Sequence, residues 1–321
     1  MHPFQYVRPR ALDDAVAALA LDASVALGGG TDLLPRWKDG LTAPDTVVDL
    51  TEALPSTIST VGDAVVIGAA ARLETLAGDP VLVSQAGAFA QACAAVGTPA
   101  LRAMGTLGGN LLQRPRCWYW RSGHSCAKSG GTGCPAVDGE HQYHAIVEAG
   151  PCWAVHPSDP AVALVALDAV AVIASASGTR HVPMAELYGT SAEDATREAR
   201  LAPGEVIVEV RIPRAMLGGR QSYTKVMQRG AWDFALVSLA AVQQTNGDVR
   251  LVLGGVGPRP WRVNASIEED VASGGLDDDS IDALAERALY DATPLPGTAY
   301  KVTQARGLLV AAMRAFGGAA R

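Results

Sequence analysis

Four of the five cysteines of this chain lie in one polar, loop-like stretch, whereas the fifth, Cys93, stands in an alanine-rich run. Soft thiolate ligands select zinc, copper(I) or iron–sulfur clusters over hard cations. The sequence therefore predicts a metal or cluster site in this stretch, and it predicts that Cys93 is a small core residue. The predicted ligands are Cys117, Cys126, Cys134 and Cys152.

The spacing of these cysteines bears on which metal they bind. Structural zinc sites generally bring their ligands in short Cys-x2–4-Cys knuckles, whereas every gap here is seven residues or more. The two-residue gaps of ferredoxins are also absent, so the spacing favours an iron–sulfur cluster over zinc only slightly. Nearby histidines could replace a thiol, although a lone histidine in a polar loop is more often a surface residue. These histidines are His124, His141, His144 and His156.

Two glycine-rich turns form the second chemical feature of the chain, Gly28-Gly-Gly-Thr-Asp-Leu-Leu34 and Gly105-Thr-Leu-Gly-Gly-Asn110. Glycines after a strand let backbone N–H groups point outward, and a short helix that follows turns its positive end to an anion. Either turn alone is more often a tight turn without a ligand, but the pair favours a pyrophosphate site. A Rossmann site is disfavoured, because Leu33 stands where the third glycine should be and Pro35 falls inside the following helix.

Composition and charge exclude several classes of protein. The chain has 321 residues, of which 49% are hydrophobic and 18% charged, and a net charge of -7. Such a chain can bury sizeable cores but has no surface-wide positive field for nucleic acid. No window approaches the roughly 18 apolar residues that cross a bilayer, and the first residues lack the pattern of an export signal. We expect a cytoplasmic protein without membrane insertion or a nucleic-acid partner.

Hydrophobic periodicity and turn residues predict a mixture of helices and strands. Helices are predicted at residues 12–21, at 80–96 in one long alanine-rich stretch, and at 160–170. Strands are predicted at 24–27, 46–50, 64–67, 169–174, 206–212, 223–228 and 249–253. The run 235–244 fits either a helix or a strand, and two helices are predicted near the C-terminus. The change of pattern after Pro213 places a domain boundary at about residue 216.

Taken together, these motifs resemble those of a known family. Over essentially its full length, the chain resembles the FAD-binding medium subunit of the molybdenum hydroxylases, the xanthine dehydrogenase and aldehyde oxidoreductase family. The first glycine-rich turn resembles the first FAD loop of that family, Gly105-Thr-Leu-Gly-Gly-Asn-Leu-Leu112 resembles its second, and His156-Pro-Ser-Asp159 resembles its acid site. Leu253-Gly-Gly-Val-Gly-Pro-Arg-Pro-Trp-Arg262 resembles part of its second domain. One departure is Gly28, where relatives of this type tend to carry alanine.

The resemblance implies an α+β fold in two domains. Residues 1–215 would form a two-part FAD-binding domain of the vanillyl-alcohol-oxidase and CO-dehydrogenase-flavoprotein type. Residues 216–321 would form a smaller α+β domain, an antiparallel sheet with helices, like the C-terminal domain of CO dehydrogenase flavoproteins. An insertion at about 113–156 holds the four cysteines. It resembles the insertion that binds a [4Fe-4S] cluster in 4-hydroxybenzoyl-CoA reductase and in bacterial three-subunit aldehyde oxidoreductases. The spacing of the cysteines favours the aldehyde oxidoreductase type.

The resemblance also implies which residues contact the cofactors. The first loop would wrap the FAD pyrophosphate, the second would close over it, Asp159 would bind a polar group, and Ile207 and Lys225 would line the flavin side. The implied FAD contacts are Leu27, Gly28, Gly29, Gly30, Thr31, Asp32, Leu33, Leu34, Thr106, Gly108, Gly109, Asn110, Asp159, Ile207 and Lys225. The four cysteines would bind the cluster. No catalytic side chain is implied, because the flavin is the reactive centre.

The implied function is that of the FAD/[4Fe-4S] electron-transfer subunit of a molybdenum-dependent aldehyde oxidoreductase. Aldehydes would be oxidised to carboxylic acids at a molybdenum cofactor in a large partner subunit. Electrons would pass through two [2Fe-2S] clusters in a small subunit to the FAD and then to an external acceptor. The complex would be a heterotrimer or a dimer of heterotrimers, and it would be periplasmic if a partner carried an export signal. The [4Fe-4S] cluster would either relay electrons or pin the insertion against a neighbour.

Other functions stay open on the sequence alone. Within the family, the alternatives are the FAD subunit of a 4-hydroxybenzoyl-CoA reductase or of a xanthine dehydrogenase-like enzyme. Outside it, the alternative is a zinc-stabilised binding module without a redox function. A stand-alone FAD oxidase of the vanillyl-alcohol type is disfavoured, because the C-terminal part offers no set of acid–base residues for a substrate.

Overall fold

A small parallel sheet at the start of the chain carries the first glycine-rich turn. The computed structural model describes residues 3–317, and the strand order of this sheet is β1-β3-β2. Its strands are β1 (Gln5–Val7), β2 (Ser24–Leu27) and β3 (Thr46–Asp49), and they are connected by α1 (Leu12–Leu19) and α2 (Leu33–Lys38). The turn therefore runs from the end of β2 to the start of α2.

An antiparallel sheet with the order β4-β5-β8-β6-β7 forms the second part of the molecule. Its strands are β4 (Ile58–Val61), β5 (Ala64–Gly68), β6 (Val170–Ser175), β7 (Gly178–Pro183) and β8 (Val206–Pro213). Between β5 and β6 the chain forms α3 (Leu73–Gly78), α4 (Pro80–Gln85), α5 (Gly87–Ala94), α6 (Pro99–Met104), α7 (Leu107–Leu111), α8 (Trp118–Arg121) and α9 (Asp159–Ala166), and α10 (Met184–Leu187) follows β7. The second glycine-rich turn therefore lies between α6 and α7. Residues 113–156, called the cysteine segment below, are a long excursion between α7 and α9.

The C-terminal part is an antiparallel sheet covered by helices. Its order is β12-β11-β10-β9. The strands are β9 (Arg220–Val226), β10 (Val237–Gln243), β11 (Val249–Gly254) and β12 (Trp261–Arg262), and the helices are α11 (Ala265–Ser273), α12 (Asp278–Arg287) and α13 (Ala299–Gly317). These elements confirm the α+β fold class, whereas the domain boundary at residue 216 stays a prediction.

Two hydrophobic cores lie on opposite faces of this C-terminal sheet. Successive residues of a strand point to opposite faces. Ala240 and Val242 of β10 pack in the first core with α5 and α9, while Leu239 and Ala241 pack in the second core under α11, α12 and α13. The sheet therefore joins the two halves of the molecule.

The alanine-rich stretch 80–96 forms two helices, not the single helix that its composition predicts. Ala86, between α4 and α5, has φ −126° and ψ 48°, outside the helical region. It is fully buried, and α5 packs against α3, α9 and β9. Tertiary packing overrides helix propensity at this residue. Cys93, on α5, is fully buried, which confirms it as a core residue.

Smaller differences concern the remaining elements. The run 235–244 contains a strand, β10, and the C-terminus has three helices where two are predicted. The helix predicted at 160–170 ends at Ala166, because β6 begins at Val170. Within residues 3–317, no helix is both long enough and apolar enough to span a membrane.

Candidate functional site

The two glycine-rich turns lie against each other beside a cavity, called cavity A. Its lining comprises residues 28–33 of the first turn, Thr106, Gly108 and Gly109 of the second turn, and Ile207 of β8. A Cβ on Gly29 would overlap the carbonyl oxygen of Met104, and a Cβ on Gly28 would lie 2.6 Å from Thr106 Oγ1. These two glycines are therefore required for the contact between the turns.

Three successive backbone donors of the first turn have no hydrogen-bond partner in the part of the chain that the structure describes. Among the hydrogen bonds that the structure shows within residues 3–317, none uses the N–H of Gly29, Gly30 or Thr31. Gly30 has φ +73°, which L-residues rarely adopt. Successive N–H groups that line a concavity bind anions. This turn therefore fits a pyrophosphate.

The second turn is fixed by its own side chains and by α9. Thr106 Oγ1 accepts a hydrogen bond from Gly109 N at 3.2 Å. Asn110 is buried, and its Oδ1 accepts from Ser158 Oγ at 2.6 Å. Ser158 Oγ also accepts from Ala161 N at 3.2 Å, so it caps α9. One serine thus ties the second turn to the helix that carries the predicted acid site.

A second cavity, cavity B, adjoins cavity A at Thr31. It is also lined by Asn110, Arg116, Asp159, Lys225 and Phe234. Lys225 Nζ donates to Asp159 Oδ2 at 2.8 Å, and the lysine side chain is only 4% exposed. A lysine in a strand is most often an exposed edge charge, but this one is an internal charge partner.

Asp159 is the acidic group of cavity B. Tyr223 Oη donates to its Oδ1 at 2.5 Å, and Lys225 binds its other oxygen. Burial raises the pKa of Asp159, whereas Lys225 and Tyr223 oppose that rise. The carboxyl group is therefore held in a closed hydrogen-bonded set at the wall of the cavity.

The predicted FAD contacts are divided between the two cavities. Both turns and Ile207 line cavity A, whereas Thr31, Asn110, Asp159 and Lys225 line cavity B. Ile207 and Lys225, both predicted for the flavin side, do not share a cavity. Leu27 and Leu34 line neither cavity, and Leu34 is 42% exposed. Which of these residues contact FAD stays a prediction.

The four thiols of the cysteine segment form no disulfide, and they lie near enough to one another to affect each other's pKa. All are free; Cys126 and Cys152 are buried, and Cys117 and Cys134 are half-buried. Burial raises the pKa of Cys152 to about 11, and the nearby thiols of Cys134 and Cys117 add to this rise. Burial likewise raises the pKa of Cys117, again with contributions from Cys134 and Cys126. Such thiols must lose their protons when they bind a metal.

The geometry of these thiols bears on the kind of metal group. Within residues 3–317, no three His, Cys, Asp or Glu side chains are arranged to hold a single metal ion. A [4Fe-4S] cluster takes four thiolates, each on a different iron, so its ligands lie farther apart than those of one ion. The kind of metal group that these thiols bind stays a prediction.

A third cavity, cavity C, lies between the cysteine segment and cavity B. Cys117 and His144 line one side of it, and it shares Arg116, Asp159 and Phe234 with cavity B. Cavity C thus adjoins cavity B, which contains Lys225, and is lined by the first cysteine.

Two of the four histidines in the segment are buried, contrary to the expectation of surface positions. His144 Nε2 lies 3.4 Å from Cys117 Sγ, and the His156 ring packs on Tyr188 with centroids 4.3 Å apart. Burial lowers the pKa of His144 to about 4 and that of His156 to about 3. Both are therefore neutral at pH 7, whereas His124 is exposed.

Four cations of the cysteine segment bind two acidic residues outside it, and sequence reasoning missed these cations. Asp32, in the first turn, pairs with arginines of the segment, and Glu198 pairs with a further arginine and a lysine. The cations are Arg114, Arg116, Arg121 and Lys128. The signal was available as a cluster of positive charge around Cys117 in a chain of net charge -7.

Comparison with known proteins identifies the family of the chain. Residues 2–215 match the model of the FAD binding domain in molybdopterin dehydrogenase, and residues 222–316 match that of the CO dehydrogenase flavoprotein C-terminal domain. The chain is 36% identical over 272 residues to the aldehyde oxidoreductase FAD-binding subunit PaoB of Escherichia coli (strain K12), covering 83% of this chain and 85% of that protein. It is 26% identical over 247 residues to the carbon monoxide dehydrogenase medium chain of Afipia carboxidovorans, covering 76% and 70%.

Solved structures show the same fold. A chain of reconstituted CO dehydrogenase from Oligotropha carboxidovorans superposes with a TM-score of 0.76 at 23% identity, covering 100% of both chains. A chain of quinoline 2-oxidoreductase from Pseudomonas putida 86 superposes with a TM-score of 0.74 at 22% identity, covering 98% and 97%. The fold and the paired turns thus define an FAD-binding subunit of an oxidoreductase. The chain belongs to the FAD-binding medium subunits of the molybdenum hydroxylase family.

Proposed function

We propose that this chain is the electron-transfer subunit of a molybdenum-dependent aldehyde oxidoreductase and that it binds both FAD and a [4Fe-4S] cluster. The observation that carries the proposal is a set of four free thiols that affect one another's pKa, in a segment that borders cavity B through Arg116. The 36% identity to a subunit named for aldehyde oxidation supports the substrate class.

In this proposal FAD lies along cavities A and B. The free N–H groups of Gly29, Gly30 and Thr31 would hold the pyrophosphate, and the second turn would close over it. Cavity A would take the adenosine part, and cavity B would take the flavin ring. Lys225 would then lie on the flavin side as predicted, whereas Ile207, also predicted for that side, would lie with the adenosine. The glycine cradle and the adjoining cavities fit such an extended cofactor.

The residues of the chain bind and orient the cofactor and do not react themselves. Bound FAD supplies the exchange of single electrons and of electron pairs. Lys225 would place a positive charge beside the ring, and Asp159 would fix that charge through its ion pair. Phe234 and Pro157 would restrict water at the wall of cavity B.

The four thiols would hold the cluster, and His144 would contact the first of them. Because burial raises the pKa of Cys117 and of Cys152, their thiolates form only as iron binds. The side chains shared by cavities B and C, Arg116, Asp159 and Phe234, would then separate the cluster from the flavin.

The proposal includes the partners and the domain division. The electrons would come from a large molybdenum-cofactor subunit through a small subunit with two [2Fe-2S] clusters, in a heterotrimer or its dimer, and would leave to an external acceptor. The family matches at 2–215 and 222–316 support a boundary near residue 216. A cytoplasmic or periplasmic location stays a prediction.

The test is to purify the full chain anaerobically with the proteins that co-purify and to quantify FAD, iron and sulfide. We expect one FAD and about four irons bound to this chain, and a co-purified small subunit with two [2Fe-2S] clusters would add about four more. Changing Cys117, Cys126, Cys134 or Cys152 to Ser should each lower the iron content of the chain. The matched control is Cys93→Ser, because Cys93 lies in the core away from the segment, and iron should stay bound in that variant.

Two results would contradict the proposal. A colourless protein with one zinc per chain would make the cysteine site structural. FAD without iron, at equal amounts in wild type and in the cysteine variants, would leave a flavoprotein subunit but would remove the cluster. Aldehyde oxidation by the co-purified complex, measured with a dye acceptor, tests the substrate class separately.

A further inference from the structure

Asp32 connects the first glycine-rich turn directly to the cysteine segment. Its Oδ1 pairs with Arg116 Nη1 at 2.6 Å and accepts from Arg121 Nη2 at 2.9 Å. Its Oδ2 accepts from Arg114 N at 3.0 Å and from Arg36 Nε at 3.1 Å. Three of the four partners belong to the segment, on both sides of Cys117.

The side chain of Asp32 and the backbone of the turn bind different groups. Both oxygens of Asp32 are used by the cations and the N–H described above, and the side chain is only 11% exposed. Burial raises the pKa of Asp32, but Arg116, Arg114 N, Arg36 and Arg121 together lower it below its usual value. The carboxylate therefore stays charged and faces the segment, while the N–H groups of Gly29, Gly30 and Thr31 stay free for a ligand.

A second carboxylate holds the same segment but does not reach the turn. Glu198 pairs with Arg114 Nε at 2.6 Å and with Lys128 Nζ at 2.6 Å. Lys128 follows Cys126 closely in sequence and is itself buried. Glu198 therefore also anchors the segment, but away from the backbone of the glycine-rich turn.

We propose that Asp32 is a positioning residue that couples the two cofactors, so that loading the cysteine segment tightens FAD binding and FAD binding favours loading of the segment. The inference rests on the proposed function. Iron binding fixes the positions of residues 114–121 around Cys117, these residues fix Asp32, and Asp32 fixes the turn that holds the pyrophosphate. Coupling between two sites is reciprocal, because each ligand changes the affinity for the other by the same factor.

The test measures FAD affinity of the full chain by flavin fluorescence in two states, cluster-loaded and iron-depleted by a chelator. We expect the FAD dissociation constant of the wild type to rise about tenfold on iron depletion, within the usual range for coupled sites. In Asp32→Asn the two constants should agree within about twofold. The readout is the ratio of the FAD dissociation constants of the iron-depleted and cluster-loaded chain. A merely structural role of Asp32 would not change this ratio, because general destabilisation weakens FAD binding in both states alike.

The matched control is Glu198→Gln. It removes a buried carboxylate that binds two cations of the same segment, so it should lower the iron content but keep the roughly tenfold ratio in the loaded fraction. Arg121→Gln removes one partner of Asp32 that lies in the segment. In this variant, as in Asp32→Asn, the two FAD dissociation constants should be nearly equal. It keeps the test decisive if Asp32→Asn does not fold.

The outcomes separate the inference from the proposed function. A wild type that binds FAD and iron with equal FAD affinity in both states overturns the coupling and leaves the proposed function intact. An Asp32→Asn protein that keeps the wild-type ratio overturns the role of Asp32. A wild type without iron overturns both.

Discussion

Gly29 shows how much of this site depends on one missing Cβ. Any side chain at this position would overlap the carbonyl oxygen of Met104, at the start of the second turn. Backbone cannot give way as a flexible side chain can, so Gly29→Ala must separate the two turns. We expect a loss of about 1–3 kcal/mol in the free energy of unfolding and a fall in the FAD content, both measured on the purified chain.

A glycine in open space provides the control for Gly29→Ala. Gly307 lies within α13, and a Cβ there would meet nothing within 4 Å. Gly307→Ala should therefore raise the free energy of unfolding by about 0.5–1 kcal/mol, because alanine loses less entropy in a helix. A Gly29→Ala protein with wild-type FAD content would show that the contact between the turns does not shape the site.

Asp32 also gives the folded chain a pH dependence of defined sign. Its pKa lies below the usual value in the folded state, against about 3.9 in the unfolded state. The unfolded chain thus binds the proton more readily, so the stabilisation by Asp32 is full above about pH 4 and is lost as the pH falls through the folded pKa. Urea unfolding of wild type and Asp32→Asn should give free energies that approach each other as the pH falls. A constant difference would contradict the ion-pair account.

At the scale of elements, Ser158 joins the cap of one helix to the second glycine-rich turn. Its Oγ caps α9 and donates to Asn110. Ser158→Ala should lower the free energy of unfolding by about 1–2 kcal/mol, as losing an N-cap does. It should also weaken FAD binding about fivefold, because freeing the Asn110 amide loses a hydrogen bond of about 1 kcal/mol.

Thr98 offers a matched cap without the second contact. Its Oγ1 caps α6 by accepting from Leu101 N at 3.3 Å. Thr98→Ala should lower the stability by about 1 kcal/mol with FAD affinity unchanged in a fluorescence titration. Equal FAD affinities in the two variants would mean that Asn110 does not need Ser158 for its orientation.

Elements with strong local signals are those that the sequence predicts well. β2 occurs at the predicted residues 24–27, and β8 and β11 differ from prediction by one residue, because β-branched runs end at glycine or proline. The break at Ala86 could not be predicted, since it depends on the packing of α5 against elements far away in sequence. The sequence motifs revealed the two glycine-rich turns, but they did not reveal that Gly29 packs against the backbone of Met104.

The charged contacts of the site were the least predictable part. Asp32 and Arg121 are 89 positions apart, and nothing in the local sequence pairs them. Likewise, Lys225 appears in the sequence as an ordinary strand lysine, and only the fold places it beside Asp159. Long-range ion pairs depend on how elements assemble, which propensity and periodicity do not encode.

For the whole molecule, the cysteine segment is a bridge between the two halves. Its first part binds the glycine-rich turn through Asp32. Its second part binds the C-terminal domain. Lys301 Nζ of α13 donates to Tyr143 O of the segment at 3.0 Å and to Gly255 O, outside the segment, at 2.8 Å. Arg259 pairs with Glu148 of the segment. The first part of the segment is therefore attached to one half of the molecule and its second part to the other half.

Lys301 is an unusual attachment, because it is a fully buried lysine that donates to backbone carbonyls. Burial lowers the pKa of Lys301 to about 7. Lys301→Met would leave the carbonyls of Tyr143 and Gly255 without this donor, and each buried unpaired group costs about 1–3 kcal/mol. The second part of the segment should then detach from α13 while the first part stays on the glycine-rich turn.

Hydrogen exchange followed by mass spectrometry can resolve the two attachments. In Lys301→Met we expect faster amide exchange in residues 141–147, with 114–121 unchanged, because local opening follows the contacts that hold each part. Asp32→Asn is the reciprocal control and should speed exchange in 114–121 but not in 141–147. If either variant speeds exchange along the whole segment, the segment opens as one unit, and the two-point bridge is wrong. If the exchange is local in both, the four thiols span a junction between the two halves, and a cluster bound to them would hold those halves together.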